Sequence, residues 1–150
     1  MNDTSRPSIK KSQKEIPRDI ACAQKVLNNA ISAIQKLKVG LDNTFIKAVD
    51  LISLTKGRVI ISGMGKSGHI GRKIAATLAS TGTPSFFIHP SEASHGDLGM
   101  IMHDDLILAL SNSGESAELN DIVAYSKRYD IPLVSITSKT TSTLSEAATI

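Results

Sequence analysis

Residues 58–71 of the chain read RVIISGMGKSGHIG, an apolar run that passes directly into a glycine-rich segment. Glycine tolerates positive φ and lets backbone amides come close to an anion, and a helix that begins just beyond adds the positive end of its dipole. The pattern therefore predicts a buried strand, a tight turn and a helix. We place Gly63, Gly65 and Ser67 in this turn, as residues that contact a phosphate group.

A second turn of the same kind follows the apolar run Leu106–Leu110. Its sequence, residues 111–116, is SNSGES. Serine hydroxyls and a glycine offer hydrogen-bond donors with little bulk, which suits the three oxygens of a phosphate. We expect Ser111, Ser113 and Ser116 to contact the ligand. Two such turns on one chain predict one phosphorylated ligand.

Short apolar runs alternate with helical patterns from residue 59 onward. The apolar runs are 59–62, 86–89, 106–110 and 133–136, and the helical patterns are 70–78, 119–128 and 143–148. Near-continuous apolar strands separated by helices are typical of a parallel sheet that is covered on both faces. The sequence therefore predicts an α/β fold built as a three-layer αβα sandwich. Ligands bind such sheets at the carboxyl ends of the strands.

Two amphipathic helices are predicted before this sheet, over 20–37 and 45–52, because their apolar residues recur every three or four positions. We expect these helices to cover the sheet, with Cys22 facing the core. Pairing with a second subunit is the other use for their apolar faces.

Charge and composition narrow the range of partners. The net charge of +3 belongs entirely to residues 1–18, which we interpret as a disordered basic leader. Residues 19–150 are electrically balanced, and the chain has no tryptophan and only 3% aromatic residues, so we expect no nucleic-acid partner. No run approaches the ~20 apolar residues of a membrane span, so no membrane partner is expected. A single cysteine excludes an intrachain disulfide and fits a cytoplasmic protein.

Two nucleotide-binding motifs are alternatives for the glycine-rich turn. Its glycine spacing satisfies G-x-G-x-x-G, but that motif expects an acidic residue at the end of the second strand, where this sequence has His89-Pro90. The fragment Gly65-Lys66-Ser67 copies the end of a nucleotide-triphosphate loop, whose earlier glycine falls on Ile60 here. Both alternatives are therefore less favoured than a phosphorylated sugar.

The segment from Ile60 to Thr137 resembles the sugar isomerase (SIS) domain of bacterial arabinose-5-phosphate isomerases. The similarity is carried by GMGKSGHIGRKIAATLASTGTPSFFIHPSEASHGDLGM, from residue 63, and by LSNSGESAEL, from residue 110. The resemblance implies a flavodoxin-like or Rossmann-like sheet and the interconversion of D-ribulose 5-phosphate and D-arabinose 5-phosphate, a step toward the Kdo sugar of lipopolysaccharide. It also implies a cytoplasmic homo-oligomer, a dimer or a tetramer, that requires no cofactor.

An aldose–ketose isomerase needs a base, an acid and a positive charge, because a proton leaves one carbon, an enediolate forms, and a proton returns to the neighbouring carbon. Lys66 is the cation that we expect to stabilise the enediolate. Glu118 lies two residues beyond the serine-rich turn and matches a catalytically relevant position of the family, so we assign it to proton transfer. Glu115 is its competitor for that role.

Further site residues are implied by the resemblance alone. It assigns His89 to a site that contacts the sugar and can hold zinc, and it assigns His95 to substrate contact. Gly82 and Thr83 match the family's substrate-contacting pair after the first helix of the sheet. One or two imidazoles without thiolates are a weak zinc signal, so zinc at His89 is not a required cofactor. The remaining histidines receive structural roles: a helix start for His69 and a solvent-exposed turn for His103.

Members of the resembled family extend well past the position of Ile150, and the resemblance places one more catalytic glutamate, one catalytic histidine and two CBS domains in that part. We therefore expect residues 19–150 to form a SIS domain that is incomplete at its C-terminus, where a fifth strand starts, and that lacks the CBS domains. The alternative function is a non-catalytic module that binds sugar phosphates.

Overall fold

A computed structural model describes residues 17–150 of the protein. The predicted basic leader, residues 1–18, therefore lies almost entirely outside the described residues. The described chain divides into two units, one ending at Leu41 and one comprising Asp42–Ile150. Among the helices that the structure describes, none has the length and apolar character needed to cross a membrane.

The first unit is built on helix α1, Arg18–Gly40, which contains the predicted helical segment 20–37. Throughout this described helix no residue is buried, and apolar side chains such as Val26 and Ile34 are 63% and 66% exposed. Cys22 is also exposed, so the prediction that it faces the core is wrong.

The second unit contains a parallel sheet of four strands in the order β2-β1-β3-β4. Its elements are α2 Asn43–Leu54, β1 Val59–Gly63, α3 Gly65–Ser80, β2 Ser85–Ile88, α4 Pro90–Ser94, β3 Leu106–Leu110, α5 Asn120–Tyr129, β4 Leu133–Ile136 and α6 Thr143–Ala147. Beyond α6, the Thr149 amide donates to the Leu133 carbonyl (2.7 Å) and the Ser135 amide donates to the Ile150 carbonyl (2.8 Å), so the chain pairs along the outer edge of β4.

The two faces of the sheet are covered by different helices. On one face, buried strand residues such as Ile60 and Ile107 pack with Ile122 of α5 and Leu144 of α6. On the other face, the alternate strand residues pack with Ala75 of α3, and side chains of α2 close the edge of that cluster. Successive strand residues point to opposite faces, and both faces are covered by helices. Every residue of β1 and β3 is therefore buried. The predicted three-layer αβα sandwich is confirmed.

The strand order places a topological switch between β1 and β3. From β1 the chain crosses to β2 on one side, and it returns to β3 on the other side. The loops that leave β1 and β3 therefore diverge at the carboxyl edge and leave a crevice between them, which is where ligands bind in open α/β sheets.

Candidate functional site

The glycine-rich turn after β1 is shaped by close backbone contacts. A Cβ atom added to Gly63 would lie 2.8 Å from the Leu110 carbonyl oxygen, and one added to Gly68 would lie 2.5 Å from the Gly63 carbonyl oxygen. Gly65 has a φ of +52°, a conformation that other residues rarely adopt. These glycines let α3 begin directly against the end of β1. The amino end of α3 therefore lies at the predicted phosphate site.

The serine-rich turn after β3 is held by its own side chains. The buried Ser111 hydroxyl lies 2.8 Å from the Ser116 hydroxyl and accepts a hydrogen bond from the Gly114 amide at 3.1 Å. The Ser113 hydroxyl accepts from the Glu115 amide at 3.2 Å. Ser111 and Ser116 share one hydrogen bond but carry two hydroxyl protons. One of those protons therefore remains available to an oxygen of a ligand.

A cavity of about 400 Å³ lies between these two turns at the switch point. It is lined by Lys66, Ser67, Ile70, Leu110, Ser111, Asn112, Ile136, Thr137 and Ser138. The exposed Lys66 side chain and the Ser67 hydroxyl come from the start of α3, opposite the serine-rich turn. The cavity thus combines one cation and several hydroxyl groups with the apolar side chains of Ile70, Leu110 and Ile136. This combination suits a small anionic polyol.

A smaller cavity of about 210 Å³ lies on the other side of the amino end of α3. It is lined by Gly63, Gly65, Gly68, His69, Arg72, Phe87 and His89. The Arg72 guanidinium carbon lies 4.2 Å from the centre of the Phe87 ring, which fixes the arginine over the cavity wall. His89 is thus near the glycine-rich turn but lines a different cavity from Lys66.

The geometry of His89 does not fit a zinc ligand. Its Nδ1 accepts a hydrogen bond from the Ser91 amide at 3.3 Å, which caps helix α4. Nδ1 of His89 is therefore engaged as an acceptor at the start of α4. Within residues 17–150, no group of three or more His, Cys, Asp or Glu side chains comes together as a metal site. The described residues therefore do not fit a resident zinc ion.

The carboxylates of Glu115 and Glu118 lie in different surroundings. Both oxygens of Glu115 accept hydrogen bonds from Thr143, from its amide at 2.9 Å and from its hydroxyl at 2.7 Å. These hydrogen bonds hold the pKa of Glu115 below its usual range. The hydrogen bond from the Thr143 hydroxyl has the larger effect, and that from the Thr143 amide the smaller one. Glu118 is exposed in the 3-10 turn Ala117–Leu119, just before α5. Of these two competitors for proton transfer, Glu115 is thus engaged in a structural contact.

Three predicted contact residues are not among the residues that line the two cavities of the carboxyl edge. His95 is exposed at the C-terminal end of α4, where its amide donates to the Glu92 carbonyl at 3.0 Å. Gly82 and Thr83 line a third cavity of about 170 Å³ together with Gly57 and Pro84, near the amino ends of β1 and β2. A helix that starts at the carboxyl edge and crosses the sheet ends at the opposite edge. The pair that follows α3 therefore cannot reach the Lys66 cavity of its own chain.

Several cavity residues were missed by the sequence analysis. Asn112, Thr137 and Ser138 line the larger cavity, and the Ser138 hydroxyl donates to the Asn112 carbonyl at 2.6 Å. Thr137 and Ser138 follow β4 directly, so the rule that strand ends form the site predicts them, although they lack a glycine signal. His69, expected to be a helix-start residue, lies in α3 and also lines the smaller cavity. The exposed turn predicted for His103 is confirmed.

A parallel α/β sheet with two anion-type turns at its switch point is typical of proteins that bind small phosphorylated ligands. Comparison with known proteins agrees with this class, because the family model described as SIS domain matches residues 52–150. The chain belongs to the SIS domain family.

Individual relatives are similar over most of the chain. The arabinose 5-phosphate isomerase KdsD of Pseudomonas aeruginosa is 52% identical over 131 residues, which cover 87% of this chain and 40% of the relative. The enzyme of the same name from Escherichia coli K12 is 51% identical over 110 residues, or 73% of this chain and 34% of the relative. The chain thus spans less than half the length of these curated relatives.

Solved structures agree with the fold. An E. coli CFT073 protein in complex with arabinose 5-phosphate superposes with a TM-score of 0.83 at 37% identity, covering 91% of this chain and 73% of that one. Phosphoheptose isomerase GmhA of Neisseria gonorrhoeae superposes with a TM-score of 0.70, covering 85% of this chain and 79% of that one. Its 14% identity supports the shared fold alone.

Proposed function

We propose that this chain is the sugar-isomerase part of an enzyme that interconverts D-arabinose 5-phosphate and D-ribulose 5-phosphate. The single observation that carries the proposal is the cavity at the switch point, where Lys66 faces the serine-rich turn. The similarity to relatives named arabinose 5-phosphate isomerase supports this choice of sugar. Such a reaction feeds the synthesis of the Kdo sugar of lipopolysaccharide, and we assign the protein to the cytoplasm on the same resemblance.

In this proposal the phosphate group binds the serine-rich turn. The free hydroxyl proton of the Ser111–Ser116 pair and the hydroxyl of Ser113 donate to phosphate oxygens. The amino end of α3, with Ser67 in its first turn, adds a positive potential from the other wall of the cavity. The phosphate therefore anchors the substrate while its carbonyl end extends toward Lys66.

The chemistry is a proton transfer between two neighbouring carbons. A base removes the C2 proton of the aldose and the carbonyl electrons move to O1, which gives an enediolate. Return of a proton to C1, with transfer of the O2 proton to O1, leaves a ketone at C2, so atoms and charge balance. The Lys66 ammonium stabilises the enediolate oxygens, and Glu118 carries the proton. No step of this sequence uses a metal or an organic cofactor.

The role of Lys66 is tested by comparing two lysine variants of the same helix. We expect Lys66→Ala to lower the rate of conversion of ribulose 5-phosphate, followed by NMR, by about 100-fold or more. Lys73 is also exposed on α3 but hydrogen-bonds to Thr77 (3.2 Å), away from the cavity, so Lys73→Ala is the matched control. Equal rates in the two variants would exclude Lys66 from the reaction.

The role of Glu118 is tested in the same assay. We expect Glu118→Gln to lower turnover by roughly 100-fold, because an amide cannot act as a general acid or base at neutral pH. Glu146 is exposed on α6, and Glu146→Gln makes the same chemical change on a carboxylate outside the serine-rich turn. Retention of turnover in Glu118→Gln would assign proton transfer to another group.

A second candidate function, a non-catalytic module that binds sugar phosphates, is favoured by one observation. Of the described residues that line the larger cavity, none is a carboxylate or an imidazole. The two functions are separated by titrating the chain with arabinose 5-phosphate in a calorimeter and by following its conversion in the same sample. Binding without conversion supports the module, whereas binding with Lys66-dependent conversion supports the enzyme.

We also propose that the protein is a homo-oligomer. The support is the row of exposed apolar side chains along α1, which in water favour association with another apolar surface. A dimer and a tetramer both satisfy this proposal. Gly82, Thr83 and His95 remain predicted site residues of the proposed enzyme.

A further inference from the structure

The serine-rich turn is attached to the start of helix α6 by contacts that the proposed chemistry does not use. The Glu115 carboxylate accepts from both the amide and the hydroxyl of Thr143, the first residue of α6. The amides in the first turn of a helix have no partner within the helix, and a carboxylate there is a strong acceptor. Glu115 thus adds to the capping of α6 from a loop 28 residues away in sequence.

A second contact joins the same two segments beside the carboxylate. The Gly114 carbonyl accepts from the Leu144 amide at 3.0 Å. A Cβ atom at Gly114 would lie 1.9 Å from the Ser142 hydroxyl oxygen, so the turn lies directly against the N-cap of α6. The buried Ser142 hydroxyl donates to the Lys139 carbonyl at 2.9 Å, which fixes the surface that Gly114 contacts.

The other end of the turn is attached to the loop after β4. The Asn112 carbonyl accepts from both the amide and the hydroxyl of Ser138, at 3.2 and 2.6 Å. The turn is therefore held by contacts at Asn112, Gly114 and Glu115. One hydroxyl proton of the Ser111–Ser116 pair and the hydroxyl proton of Ser113 remain available to a phosphate.

We propose that Glu115 is a positioning residue: through Thr143 it holds the serine-rich turn in the shape that binds phosphate, and it takes no part in proton transfer. This inference rests on the proposed function of the turn. Both oxygens of Glu115 are engaged by Thr143, which leaves this carboxylate held by a structural contact. Without the contact, the turn would have to be ordered at the moment of binding, which weakens affinity.

The test measures phosphate affinity in a double-mutant cycle by calorimetry, with inorganic phosphate and with arabinose 5-phosphate as probes. We expect Glu115→Ala to weaken both affinities by about 10-fold, and Thr143→Val, which keeps the amide but removes the hydroxyl, by about 3-fold. The double variant is expected to bind no more weakly than Glu115→Ala, because both changes break one contact. Thr143→Ser keeps the hydroxyl and is expected to bind like the wild type.

Two further measurements separate positioning from loss of the fold. Glu146→Gln removes an exposed carboxylate that lies on α6 itself and is expected to leave phosphate affinity unchanged. In the absence of ligand, hydrogen exchange of the Leu144 amide, which donates to Gly114, is expected to be faster in Glu115→Ala and in Glu115→Gln than in wild type. Where turnover is measurable, the variants are expected to raise KM more than they lower kcat.

The affinity measurements decide whether Glu115 positions the serine-rich turn through Thr143. Unchanged phosphate affinity in the Glu115 variants overturns the inference while the proposed function stands. Fully additive losses in the double variant overturn the route through Thr143. A wild-type chain that binds neither phosphate nor arabinose 5-phosphate overturns the proposed function and this inference together. This outcome is distinguished from the others because the wild type, and not only a variant, shows no binding.

Discussion

At the scale of single residues, Asp105 shows how this fold holds the edge of the sheet that faces away from the site. Its carboxylate is 2% exposed and accepts from the Arg58 amide at 2.7 Å, the Arg58 guanidinium at 2.8 Å and the Met102 amide at 2.9 Å. Arg58 precedes β1 and Asp105 precedes β3, so the pair joins the starts of the two central strands. Burial opposes ionisation, but the hydrogen bonds from Arg58 and Met102 outweigh it and hold the pKa of Asp105 below its usual range.

We expect Asp105→Asn to lower the free energy of unfolding at pH 7 by roughly 2–3 kcal/mol, measured by urea denaturation. Breaking a buried ion pair costs more than this, but the Arg58 side chain is 37% exposed and keeps part of its hydration. Asp104→Asn is the matched control, because the Asp104 side chain is 54% exposed. Equal losses in the two variants would contradict the role of the Asp105 cluster.

The same cluster predicts a pH dependence with a definite sign. A carboxyl group whose pKa is lowered by folding stabilises the fold above its unfolded pKa of about 4. That contribution is lost as the pH falls through the lowered folded pKa. We therefore expect the stability difference between wild type and Asp105→Asn to be constant from pH 7 to 5 and to shrink below pH 4. A difference that grows in acid would show that Asp105 is protonated in the folded protein.

At the scale of secondary-structure elements, the position of α3 depends on Gly68. A Cβ atom there would meet the Gly63 carbonyl oxygen at 2.5 Å, and backbone of a central strand cannot move aside easily. We expect Gly68→Ala to destabilise the protein by roughly 2–3 kcal/mol and to displace α3 from β1. Gly65→Ala adds a methyl group into open space, so its cost is limited to about 1 kcal/mol for positive φ.

Thermal unfolding and the affinity for inorganic phosphate are the measurements for this pair of glycine variants. Displacement of α3 moves the wall of the larger cavity, so Gly68→Ala is expected to lose affinity as well as stability. A Gly68→Ala protein as stable as Gly65→Ala would show that the helix and strand can separate without cost.

The same elements explain which features the sequence could predict. The four strands were predicted within one or two residues, because a central parallel strand is buried on both faces and reads as an uninterrupted apolar run. Helix α4 was not predicted, because its five residues follow from a local cap by the His89 ring and from Pro90 rather than from any period. The long helices α1 and α5 have the three-and-four spacing that reveals them.

The site was predicted where chemistry follows from strand ends, and missed where it depends on long-range contacts. Lys66, Ser67 and Ser111 meet in one cavity because their turns leave neighbouring strands at the same edge. The contact of Glu115 with Thr143 crosses 28 residues of sequence, and spacing alone does not reveal it. The proposal that Glu115 and Glu118 have different roles therefore rests on the structure and not on the sequence.

At the scale of the whole molecule, the most exposed apolar surface that the structure describes lies on α1. Leu27 and Ile34 are 62% and 66% exposed and, seven residues apart, lie on the same face of the helix. Exposed apolar rows of this length mark interaction surfaces in soluble proteins. The row is therefore the part of the described chain that best accounts for the proposed homo-oligomer.

We expect the double variant Leu27→Glu, Ile34→Glu to sediment as a monomer at concentrations where the wild type forms a dimer or a tetramer. Placing two carboxylates in an apolar contact requires their desolvation, which opposes association. The double variant Asn29→Glu, Ser32→Glu adds the same charge to the opposite face of α1 and is expected to associate like the wild type. If the first variant has the same mass as the wild type, the subunits associate through a surface other than this face of α1. A monomeric wild type would contradict the proposed homo-oligomer itself.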